Sequence, residues 1–145
     1  MAGKSDYLEN KFLDYVLSNA ATFNTANVFV GLFTATPLDS GVAPNYALSP
    51  IEVSTSGTAY ARMDVDFSAA SGGSTSNSGS GGTPGPVTFP TATGIWGTVT
   101  HFAIFDNVTV GVGNMLYFGS ISPSKTIQSG DTASFAAGAL TVTED

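Results

Sequence analysis

The sequence predicts a mainly β domain, an antiparallel β-sandwich or barrel-like fold, behind one N-terminal α-helix. Three observations carry this. Apolar residues follow helical spacing only over 5–18, and from 28 to 143 they fall instead in short alternating or continuous runs rich in β-branched and aromatic residues. Gly, Pro, Asn and Asp punctuate those runs at turn spacing. The chain has 145 residues and no internal repeat, which suits a single domain over 1–145.

The helix is expected over 5–18. Ser5 stands where an N-cap belongs, and Asp6 and Glu9 suit the positive end of the helix dipole. Leu8, Phe12, Leu13, Val16 and Leu17 form one apolar stripe, and Asn19 marks the end. Such a stripe packs on its own domain or docks on a neighbouring subunit.

The β part, 28–143, opens with VFVGLF at 28–33, a buried strand that Pro37 closes off, followed by a long loop over 36–58. Residues 60–67 alternate, with Ala61, Met63, Val65 and Phe67 on one face and Tyr60, Arg62, Asp64 and Asp66 on the other, as in a half-buried antiparallel strand. Residues 68–86, SAASGGSTSNSGSGGTPGP, read as a flexible low-complexity loop. Its stretch 79–86 has no apolar anchor, so deleting it is expected to leave the domain folded. An edge strand follows at 87–89, then a central strand at 96–105 with apolar residues on both faces. Turn residues at 106–107 and 111–114 lead into a returning strand at 115–121. Short strands are expected near 125–127, at 132–136 and at 140–143, for a total of seven or eight.

Composition excludes several functions. Only 10% of residues are charged, against about 25% in an average soluble domain, and the net charge is −7. The cations are Lys4, Lys11, Arg62 and Lys125, too few to engage phosphates, so neither nucleic acid nor an anionic membrane surface is an expected partner. The chain lacks cysteine, an 18-residue apolar run and the apolar core of a secretion signal, which points to cytoplasmic synthesis.

The search for chemistry gives no catalytic, cofactor-binding or metal-binding residues. His101 is the sole histidine, and no G-x-S-x-G elbow or phosphate loop is present, the glycines of 72–85 included. Asp64 and Asp66 offer oxygens for Ca²⁺, but a solvated strand face with Arg62 as counter-charge explains them with fewer assumptions. Asp64, Asp66 and Asp131 supply carboxylates for glycoside hydrolysis only if a cleft gathers them. Trp96, Tyr46, Tyr60 and Tyr117 fit a sugar platform or a buried core equally. The low charge and the Ser/Thr/Gly-rich surface suit an assembled protein. Its candidate interface residues are Leu8, Phe12, Val16, Tyr60, Arg62, Trp96 and His101.

Three sets of segments, in order over nearly the whole chain, carry a family resemblance. They are SDYLENKFLD (5–14) with VFVGLFTATP (28–37); YAR (60–62) with VTFP (87–90) and WGTVTHFAIFD (96–106); and KTI (125–127) with SGDT (129–132) and FAAGAL (135–140). Together they resemble a family of small phage virion proteins often labelled tail fibre proteins. The resemblance implies a non-enzymatic virion structural protein assembled in the host cytoplasm, with no cofactor. Its partners would be other phage structural proteins, the major capsid protein or tail proteins, and further copies of itself, a trimer being one arrangement. The short, acidic, weakly charged chain favours a capsid decoration (cement) protein stabilising the assembled head. The alternative is a tail, tail fibre or baseplate component involved in host adsorption.

Overall fold

The structure is a computed structural model that describes residues 2–18, 27–41 and 51–144. The chain starts with a three-residue strand, β1 (Ala2–Lys4), which the sequence does not announce. Helix α1 (Asp6–Leu13) follows, and a π-helical turn over Asp14–Ser18 continues it. The expected terminator Asn19, the expected aromatic Tyr46 and much of the loop within 36–58 lie outside the described residues.

The strands are β2 (Val28–Phe33), β3 (Met63–Phe67), β4 (Ser74–Ser80), β5 (Thr83–Pro84), β6 (Val87–Thr88), β7 (Gly97–Phe105), β8 (Met115–Ile127), β9 (Ser134–Phe135) and β10 (Thr141–Thr143). All pairings are antiparallel. The main sheet runs β1-β8-β7-β2-β3-β4-β10, with β5 beside β4, and β6 pairs with β9 in a small second sheet. The main sheet curls until its ends nearly meet, so the fold is a nearly closed barrel, as the predicted class allows. Side chains bridge the gap between the ends. Lys4 Nζ of β1 lies 2.6 Å from a carboxylate oxygen of Glu144, just past β10. The Tyr117 hydroxyl on β8 donates to the other oxygen at 2.6 Å.

Alternation along the strands fills two cores. Val30, Leu32, Val65, Val99, Phe102, Ile104, Leu116 and Val142 point into the barrel. Tyr60, Phe89 and Trp96 close one part of it, the Trp96 ring standing edge-to-face to the other two and 5.3 Å from Tyr60. Phe33, Ala103, Phe105 and Met115 form a smaller core on the opposite face of the sheet. This explains why 96–105 carries apolar residues on both faces: β7 sits between β8 and β2, with a core on either side.

Two expectations are corrected. The supposed flexible loop 68–86 is largely the β4–β5 hairpin. No β-branched pattern specifies β4; its neighbours do. Asn77 is buried, donates to the Ala136 carbonyl at 3.0 Å and accepts from the Leu140 amide at 2.8 Å. Gly79 fits because a β-carbon there would clash with the Thr83 carbonyl oxygen. The returning strand and the segment near 125–127 are one strand, β8. Pro123 lies where the β7–β8 register shifts between Val99 and His101, so the ladder demands no amide from it.

Candidate interaction surface

The start of α1 is fixed to the barrel. Ser5 is fully buried; its amide donates to the Leu116 carbonyl at 2.9 Å and its hydroxyl to that of Met115. The same side chain accepts from the Leu8 amide, as an N-cap should. The Asp6 amide donates to the Asp39 carbonyl at 2.8 Å. Leu8 drops into the main core, where Tyr7 is packed partly buried. Burial and the nearby Asp106 carboxylate push the Tyr7 hydroxyl pKa up.

Beyond this first turn the helix leaves the barrel. Phe12, Leu13, Tyr15 and Val16 are each more than half exposed, and Leu17 is 77% exposed. The Lys4 ammonium lies 5.5 Å from the centre of the Phe12 ring. The apolar stripe thus does not pack on its own domain beyond Leu8. Five apolar side chains are presented to solvent beyond an anchored first turn.

The seven predicted interface residues part company in the structure. Phe12 and Val16 lie on this surface. Leu8, Tyr60, Arg62 and Trp96 are each at most 5% exposed, so they are packed inside the domain and not on its surface. Their polar ends explain why. The Trp96 indole donates to the Thr58 carbonyl at 2.9 Å. The Tyr60 hydroxyl donates to Glu52 at 3.1 Å and accepts from the Leu32 amide at 2.8 Å. Burial, then the Glu52 charge, pushes the Tyr60 pKa well up. His101 is half-buried, its ring nitrogens bonded to Thr36 and Thr100 hydroxyls at 3.1 and 2.8 Å. Burial lowers its pKa.

Arg62 is the centre of a clamp that the sequence does not reveal. Its guanidinium donates twice to Glu52, at 2.8 Å each, and to the carbonyls of Asn107 and Val112 at 2.9 and 3.0 Å. It also stacks on Phe105, 3.4 Å from the ring centre. Glu52, the buried partner, comes from a loop with no periodicity, so nothing in the sequence pairs it with Arg62.

Asp64 and Asp66 are committed to the hairpin turn. Asp64 accepts from the Gly81 amide at 2.9 Å and Asp66 from the Gly82 amide at 2.7 Å. Both glycines have positive φ, which explains their place in the turn. Among the described residues no three His, Cys, Asp or Glu side chains gather to hold a metal.

A family model described as Podophage GP4 fiber I protein gp80 matches residues 3–143. No curated protein matches the chain.

Proposed function

The chain belongs to the podophage GP4 fiber I protein family, and from that premise we propose that it is a non-enzymatic structural component of a phage tail fibre, held in the virion through the apolar face of its N-terminal helix. One observation carries the docking role: Phe12, Leu13, Tyr15, Val16 and Leu17 stand exposed on a helix whose first turn is locked to the barrel. A surface of this kind is stable in water only while small or covered, and here covering it means contact with another virion protein or a further copy of the chain. The low charge density of the whole chain suits such burial.

The capsid decoration reading rests on size, acidity and low charge, which many assembled proteins share. The family description names a fibre, so the tail reading takes precedence. Copy number separates the two. Calibrated mass spectrometry of purified virions should give a few to a few dozen copies, and antibody labelling should mark the tail. Hundreds of copies, with label spread over the head, would reinstate the cement reading. Incorporation of a Phe12→Asp chain into virions should fall steeply while the isolated chain stays folded, because the substitution puts a charge in the contact.

A further inference from the structure

The geometry points to a ligand site inside the barrel, behind the gap between its first and last strands, that takes an uncharged aliphatic chain ending in a hydroxyl or amide. The cavity measures about 340 Å³, within the range of small-molecule sites. Among the described residues its apolar walls are Leu8, Val28, Phe67, Ile104, Leu116 and Val142, with Ser74 and Thr75 of β4 beside them. The apolar side chains come from α1, β2, β3, β7, β8 and β10, so the whole barrel shapes the space in advance. A space whose walls are mostly apolar favours apolar contents.

The opening defines the head group. Tyr117 and Glu144 line it together with the exposed Ala70 and Gly73, and the Gly73 carbonyl accepts from the Glu144 amide at 2.7 Å. Glu144 is already paired, with Lys4 Nζ at 2.6 Å and the Tyr117 hydroxyl at 2.6 Å. Its charge is therefore met within the protein, and a charged head would have to break that pairing. A neutral hydroxyl or amide can hydrogen-bond to the oxygens at the opening without doing so. The site is independent of the docking role of α1, whose exposed residues lie outside it.

The test is calorimetric titration of the intact chain with straight-chain 1-alkanols from butanol to dodecanol. Saturable one-to-one binding is expected, with affinity rising about fourfold per methylene, the equivalent of roughly 0.8 kcal/mol, until the cavity is filled and constant thereafter. Ala70→Trp, at the exposed rim, should weaken binding at least tenfold while leaving the melting temperature unchanged. Val142→Phe, which fills the cavity from the wall, should do the same if it folds; if it does not, Ala70→Trp decides. Absence of saturable binding would overturn the site. So would a gain that continues along the whole series and is unaffected by Ala70→Trp, since that is surface adsorption. Tighter binding of the alkanoate or alkylamine of equal length would overturn the neutral head group.

Discussion

Replacing Arg62 with methionine tests whether this residue belongs to the interior of the domain or to its contacts. The substitution keeps most of the stem volume and removes the guanidinium. Glu52 then loses two hydrogen bonds of 2.8 Å and keeps the one from Tyr60 at 3.1 Å, so a carboxylate with a side chain only 5% exposed is left without its counter-charge. The carbonyls of Asn107 and Val112 lose their bonds of 2.9 and 3.0 Å, and Phe105 loses the cation on its face. Breaking a buried ion pair from one side costs about 3–5 kcal/mol. For a chain of this length that corresponds to a fall in melting temperature of roughly 10–15 °C. The double variant Arg62→Met, Glu52→Gln should cost clearly less than the two single losses added together, because the second change removes the orphaned charge. Thermal and urea unfolding of the four proteins, followed by circular dichroism, gives the cycle. A loss under about 1 kcal/mol for Arg62→Met would refute the clamp. Additive losses would refute the pairing.

Three further outcomes follow from the same geometry. Phe12→Asp should shift the stability of the isolated chain by no more than about 0.5 kcal/mol, because the side chain is 55% exposed; a large loss on urea unfolding would show the helix packed inward. Deleting 79–86 should unfold the chain or lower its melting temperature sharply, since it removes the end of β4, all of β5 and both amides bound by Asp64 and Asp66; an unchanged melting curve would refute the hairpin's structural role. Stability should fall with acidity in two stages. The fold favours neutral His101, so stability present above its ordinary pKa of 6.5 is lost as pH drops through the lowered folded value, and His101→Gln should flatten this stage. Burial opposes the charge on Glu144, but bonds from Lys4 and Tyr117 and the Lys4 charge outweigh it and lower its pKa; that stability is present above 4.5 and lost below, and Lys4→Gln should diminish it.

The elements legible in the sequence are those whose own residues specify them. The spacing of apolar groups marks α1, Ser5 marks its start, and VFVGLF and WGTVTHFAIF announce β2 and β7, because a strand with a core on both faces must be apolar on both. β4 is hidden for the opposite reason. STSNSGS has no apolar alternation, and what makes it a strand lies elsewhere in the chain: the Leu140 amide and Ala136 carbonyl on Asn77, and the carboxylates of Asp64 and Asp66 on the turn beyond. Polar residues that hold a fold through distant partners look like polar residues that hold nothing. The candidate site divides along the same line. Arg62 reads as a surface charge in an alternating strand, and only its distant partners Glu52, Asn107 and Val112 make it a buried one. Phe12 and Leu17 read as apolar because that is a property of the side chain, whereas their exposure is a property of the surroundings. Periodicity assigns Leu8 and Phe12 to one stripe, yet only the placement of β8 under the first turn of α1 buries the one and leaves the other exposed. The exposed part of the stripe is therefore the part for which the barrel supplies no contact like that of β8 with the first turn.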